Sequence, residues 1–264
     1  MRLLLIAGLR QNVNWFKWVE RHAVEFDVVA IVGDLLDAFH PLPPRAQTIK
    51  ARTHLELLAG KAYVVVCSSN HDSLDLPVAP PRGPVPRWMA GLDEIGSLLS
   101  DGRTSVIKDQ LVVTTLSYLS TEHRKRPWLM DGNRLRTQTN LPWLVLHHYP
   151  PARYQNSGPE ELSAGKLARE FEPTFWLSGR FYEEPYQKEF VWFQRINPTI
   201  VLNAAQYPMV DRIAESPLPS YIILDLTKGS ATRYSPSLNR IEEARLESGI
   251  LNTEYRLQNL EFGS

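Results

Sequence analysis

The sequence predicts an α/β layered protein, on three observations. Leu3 to Ala7, Val28 to Val32 and Tyr63 to Cys67 are short continuous apolar runs, the pattern of strands buried on both faces. Val13 to Phe26 and Gln47 to Leu58 lie between them, with apolar residues at helical spacing. Each apolar run ends in a cluster of polar residues, and in open α/β sheets the crevice beyond the strands' carboxyl ends is the usual ligand site.

Further elements follow in order. Pro43 and Pro44 hold residues 41–46 as a loop ahead of the second helix. Residues 76–87 are rich in proline and read as an extended surface connection. Trp88 to Leu99 reads as a helix closed by an Asp101-Gly102 turn, and Val106-Ile107 with Leu111 to Leu116 as a hairpin. Trp143 to Leu146, Phe175 to Leu177, Thr199 to Leu202, Tyr221 to Leu226 and Ala231 to Tyr234 read as strands. One domain over residues 1–264 is expected, with two packed sheets and flanking helices. Residues 75–140 form its variable loop and helix region, and residues 236–264 a peripheral, helical tail.

Composition narrows the function classes. At 264 residues the chain can bury one good-sized core. Lys plus Arg and Asp plus Glu stand at 29 each, so no global field favours nucleic acid or an anionic membrane. The basic stretch His123 to Arg136 reads as a solvated loop, with a nucleic-acid backbone as the less favoured partner. A single cysteine, Cys67, excludes an intrachain disulfide framework and a cysteine-built zinc site. The first apolar run is too short to span a bilayer and lacks the pattern of a secretory leader, so a cytoplasmic location is expected.

The residues that can carry chemistry sit past the strand ends. The second strand runs into Gly33-Asp34-Leu35-Leu36-Asp37, and the third into Ser68-Ser69-Asn70-His71-Asp72. The strand at 143–146 runs into His147-His148-Tyr149-Pro150, and that at 175–177 into Ser178-Gly179-Arg180-Phe181-Tyr182. Asp34, Asn70, His71 and His147 are expected to converge on one sheet edge. A carboxylate, an amide oxygen and an imidazole suit manganese, iron or zinc. A further histidine beside such a site can protonate a leaving oxygen.

These blocks, in this order, resemble those of the calcineurin-like metallophosphoesterases, which run Asp-x-His, Gly-Asp-x-x-Asp, Gly-Asn-His-Asp/Glu, a later His, and Gly-His-x-His. The resemblance covers most of residues 1–235. It implies a four-layer α/β/β/α sandwich of two packed mixed sheets. It also implies Asp34 as the carboxylate bridging two metals, Asn70 and His147 as ligands of the second metal, and His71 as the phosphoryl-contacting general acid. Asp37, His148 and Tyr182 are neighbours of that site.

The chain departs from the pattern at the remaining ligand positions. Gly8 and Arg10 stand where the first Asp and His belong, Arg180 and Tyr182 replace the final two histidines, and Ser69 replaces a glycine. A two-metal site lowers the pKa of a bridging water at a metal separation of ~3.5–4 Å, and these losses remove that bridge. The cofactor expectation is therefore one divalent metal, or none.

Arg10 and Arg180 are permanent cations whose planar forks match phosphate oxygens, so they are candidate anion-binding residues. The reading is a metallophosphoesterase-like protein with a degenerate site that binds a phosphate-containing small molecule, a nucleotide or a protein partner, with weak or no hydrolysis. Two alternatives remain open: hydrolysis on a single metal at Asp34, Asn70 and His147, and a non-catalytic scaffold subunit.

Overall fold

A computed structural model describes residues 1–73, 86–151, 159–180, 191–206 and 218–247. The strands are β1 (Arg2–Ile6), β2 (Val28–Val32), β3 (Tyr63–Cys67), β4 (Leu98–Leu99), β5 (Thr104–Ile107), β6 (Leu111–Thr115), β7 (Trp143–Leu146), β8 (Phe175–Ser178), β9 (Phe193–Ile196), β10 (Thr199–Asn203), β11 (Tyr221–Asp225), β12 (Ser230–Ser235) and β13 (Arg240–Arg245). The helices are α1 (Val13–His22), α2 (Pro44–Ala59), α3 (Glu122–Thr139) and α4 (Pro159–Phe171).

Two mixed sheets result. One has seven strands in the order β13-β12-β11-β1-β2-β3-β4, and the other six in the order β5-β6-β7-β8-β10-β9. β1 to β4 run parallel, as do β6, β7, β8 and β10, while β11, β12 and β13 in the first sheet and β5 and β9 in the second pair antiparallel.

Alternation along the strands builds the layers, because successive side chains point to opposite faces. Leu3, Leu5, Ala30, Val32, Val65 and Cys67 pack with Val113, Leu144, Leu146, Leu177 and Leu202 in the core between the sheets. The alternate residues Leu4, Ile6, Val29 and Ile31 pack with Trp15, Phe16 and Leu55 of α1 and α2. Trp143, Val145 and Trp176 pack with Leu129, Ala164 and Leu167 of α3 and α4. The arrangement is the expected four-layer α/β/β/α sandwich.

Several local expectations are corrected. Residues 88–99 do not form a helix. They make two short 3-10 turns, Arg87–Met89 and Leu92–Glu94, and then β4, because Gly91 between the turns adopts φ 77°. The expected helix in the tail is replaced by β13, which extends the first sheet and pairs Glu242 with Arg233. The basic stretch 123–136 lies within the 18-residue helix α3 rather than in a loop, and Pro127 is inside it. Helix α4 and strand β9 have no counterpart in the sequence reading. Most of the proline-rich segment 76–87 and the tail beyond residue 247 lie outside the described residues. Among the described residues no helix is long and apolar enough to cross a membrane.

Helix α3 lies against β6 and β7 at one narrow point. A Cβ on Gly132 would stand 2.5 Å from Thr114 Oγ1 and 2.5 Å from the Trp143 ring, both fully buried. Gly132→Ala is therefore expected to destabilise the protein by about 1–3 kcal/mol through overpacking, despite the ~1 kcal/mol that alanine gains in helix propensity. Urea unfolding followed by circular dichroism measures it. A stabilised variant would show that the helix can lift off the sheet.

Candidate functional site

The parallel strands deliver their following loops to one edge of the sandwich. After β1, the segment Gly8 to Gln11 hydrogen-bonds along the segment after β2. Gly8, Arg10 and Gln11 donate their backbone N–H groups to the carbonyls of Gly33, Asp34 and Leu35 at 3.1, 2.8 and 3.1 Å. This lattice holds Arg10, Gln11 and Asp34 at φ 40°, 61° and 56°, a region that side chains other than glycine seldom occupy. Gly8 sits at φ 63°, and a Cβ there would stand 2.9 Å from Gln206 Cγ. Position 8 therefore accommodates no aspartate without strain.

Asp72 clasps two of these loops. Its Oδ1 accepts the backbone N–H groups of Leu35 and Leu36 at 2.9 and 3.0 Å. Its Oδ2 accepts those of Asp34 and Ser69, both at 2.9 Å, and the Ser69 hydroxyl at 2.8 Å. Ser69 Oγ in turn accepts the Asp34 N–H at 2.9 Å, so this serine is a structural part of the loop. Burial, joined by the charge of Asp34, pushes the Asp72 carboxyl up to about 7, while these donors favour its charged form. The motif contains Asp72, but nothing in the sequence points to this role.

Asp34 is 6% exposed. Arg10 Nη2 donates to its Oδ2 at 3.1 Å. Its Oδ1 is buried with no hydrogen-bond partner. The imidazole nearest that oxygen belongs to His148, whose Nε2 is 3.7 Å away. His148 Nδ1 is 3.2 Å from the carbonyl of Val32, which fixes the proton on Nδ1 and leaves Nε2 a lone pair when the ring is neutral. Burial raises the Asp34 pKa, but His148, Arg10 and His71 outweigh it, the imidazoles being charged at the acid pH where a carboxylate titrates, so the group sits below the ordinary carboxylate value.

Arg180 follows β8. Its Nη1 donates to Asn70 Oδ1 at 3.0 Å, and its guanidinium lies 4.7 Å over the Tyr149 ring. Its backbone is tied to the His148 carbonyl at 3.0 Å and to Asn203 Nδ2 at 2.9 Å. Its Nε is buried and unpartnered.

His71 Nδ1 accepts the Ala38 N–H at 3.2 Å, so the neutral ring carries its proton on Nε2. Burial pushes the pKa of His71 down; Asp34 and Asp37 pull it up, while Arg10 and Arg180 reinforce the depression. Asp37 Oδ1 stands 3.9 Å from Nδ1 and accepts the Phe39 N–H at 3.0 Å.

His147 does not join this group. Its Nδ1 is 3.2 Å from the Tyr149 carbonyl, and its Nε2 is 2.9 Å from Lys125 Nζ of α3. Nδ1–H donates to the carbonyl and Nε2 accepts from the ammonium, so both ring nitrogens are committed. Burial and the Lys125 charge push its pKa well below the ordinary value. The structure thus places His148, not His147, beside Asp34.

Lys125, 4% exposed, was hidden in the basic stretch. The signal that could have found it is the buried stripe Lys125, Leu129 and Gly132, spaced i, i+4, i+7 on one helix face. Tyr182 lies outside the described residues.

These donors do not fit a divalent ion. Asp34 Oδ2 faces Arg10, Asn70 Oδ1 accepts from Arg180, and His147 is bound to Lys125. Asp34 Oδ1 and His148 Nε2 are left. Among the described residues no group of three or more His, Cys, Asp or Glu side chains could hold a metal ion.

No family model matches the sequence, and no curated protein matches it. Solved structures do resemble it in fold. Protein TT1561 of Thermus thermophilus is 10% identical, with a TM-score of 0.56 over 93% of this chain and 98% of that one. Purple acid phosphatase PPD1 from yellow lupin seeds is 13% identical, with a TM-score of 0.53 over 96% of this chain and 52% of that one. With its paired mixed sheets, flanking helices and loop cluster at the strand ends, the chain shares the fold of these structures.

Proposed function

We propose that this protein binds a phosphate-bearing ligand in the Arg10–Arg180 cleft and does not hydrolyse it by two-metal chemistry. The observation that carries the reading is the pairing of each surviving oxygen ligand with a guanidinium: Arg10 with Asp34 at 3.1 Å and Arg180 with Asn70 at 3.0 Å. Permanent positive charge stands beside the oxygens that a metal would need, and it can meet phosphate oxygens directly. Hydrolysis would also need an activated water and an acid. His71 with a depressed pKa is a neutral hydrogen-bond donor at neutral pH, not an imidazolium acid. The described residues can therefore bind and orient an oxyanion.

Titration calorimetry with inorganic phosphate tests binding, alongside hydrolysis of an aryl phosphate in manganese. Wild type is expected to bind phosphate without measurable turnover, and Arg180→Met to weaken binding by at least about tenfold. Manganese-dependent turnover that disappears in Asp34→Asn would overturn the proposal.

A further inference from the structure

We infer that the anion this cleft selects carries a P–O–H group, as a phosphate monoester monoanion or dihydrogen phosphate does, and that sulfate and phosphodiesters are rejected. The inference rests on the anion site proposed above and concerns which anion that site accepts.

Two unmet polar atoms of opposite kind define the selectivity. Asp34 Oδ1 is a buried acceptor without a donor, and Arg180 Nε is a buried donor without an acceptor. His148 Nε2, 3.7 Å from Asp34 Oδ1, is a second acceptor while the ring proton stays on Nδ1 toward Val32. A fully ionised oxyanion could answer Arg180, but it would bring a bare oxygen against a carboxylate oxygen. A ligand with a hydroxyl on phosphorus answers both, donating to Asp34 Oδ1 and accepting from the guanidinium.

Asp37 stands on the Nδ1 side of His71, 3.9 Å from that nitrogen. Sulfate is fully ionised in the neutral range, and a phosphodiester has no O–H to give. A site built around a hydrogen bond to a ligand hydroxyl discriminates strongly against analogues lacking it.

The test is calorimetry on the full chain at about pH 6, where a phosphate monoester is substantially monoanionic. The probes are inorganic phosphate, phenyl phosphate, dimethyl phosphate and sodium sulfate. Inorganic phosphate or phenyl phosphate is expected to bind at least about tenfold tighter than sulfate and dimethyl phosphate. The tighter of the first two identifies the source as free phosphate or a monoester. In Asp34→Asn the side-chain amide can donate, so the phosphate-to-sulfate ratio is expected to fall to about one. Equal binding of sulfate and phosphate by wild type would overturn the selectivity while leaving an anion site, and this comparison does not depend on the variant folding. A ratio that persists in a folded Asp34→Asn would also overturn it. Failure of every anion to bind wild type would sink the anion site itself.

Discussion

Asp72→Ala is expected to cost more than about 5 kcal/mol. The carboxylate accepts from four backbone N–H groups and one hydroxyl, all buried. An unsatisfied buried donor costs ~1–3 kcal/mol, and alanine offers no replacement to the Leu35, Leu36 and Ser69 N–H groups or the Ser69 hydroxyl, while the Asp34 N–H keeps Ser69 Oγ. Even with half of them relaxing toward other partners, the loss approaches the ~5–15 kcal/mol of a whole domain. The variant should be insoluble, or melt at least about 10 °C below wild type. Asp72→Asn keeps one acceptor oxygen and turns an amide toward the remaining donors, so it should fall between the two. A urea midpoint for Asp72→Ala within about 1 kcal/mol of wild type would show that the clasp is dispensable. This loop also carries Asp34, so the same residue governs stability and site geometry.

The second large effect lies at Lys125 and depends on pH. Burial, partly offset by the charges of Glu160 and Asp101, lowers its pKa from 10.5 to about 8. A lysine whose pKa is depressed on folding binds its proton more weakly in the native state. The resulting penalty is fully present below the folded value and disappears as pH rises through the unfolded one. The shift corresponds to about 3 kcal/mol, gained between about pH 8 and 10.5.

Burial also raises the pKa of Tyr149 and Tyr221, and these groups act in the opposite sense above about pH 10. The clean measurement is therefore a difference between proteins. Wild type should gain on Lys125→Met by about 3 kcal/mol from about pH 8 to 10.5, while the tyrosine contributions cancel. At neutral pH the variant should be near wild type, because removing a costly buried charge offsets the ~1–3 kcal/mol of leaving His147 Nε2 without a donor. Parallel stability curves for the two proteins across that range would mean that Lys125 is not titrating in this environment.

Much of the architecture was legible in the chain. β1, β2 and β3 appear as unbroken apolar runs because covered parallel strands bury both faces, and that requirement is written residue by residue. The polar clusters after them follow from topology, since parallel strands deliver their following loops to one edge. What failed to show were elements whose local pattern is weak. Helix α3 presents charge on most of its surface and buries only Lys125, Leu129 and Gly132, so its periodicity is faint. Strand β13 is an exposed edge with alternating charges, read equally well as a polar tail.

That arginines stand at positions 10 and 180, where the motifs the chain resembles carry histidines, was already visible in the sequence, because identity at a position needs no coordinates. Which atoms those arginines meet was not, because it depends on contacts between loops 24 and 110 residues apart. The same division separates His147 from His148. Both residues were evident beyond the end of β7, but neighbours in an extended chain point to opposite sides, and only the packing decides which side meets Asp34. His148 turns toward the carboxylate, while His147 turns toward a lysine carried by a helix on the outer face. The sequence by itself determined two buried sheets with polar clusters at the strand ends. The tertiary structure decided that three cations, Arg10, Arg180 and Lys125, stand against Asp34, Asn70 and His147, because a buried cation needs a counter-charge or a hydrogen-bond acceptor wherever folding places it.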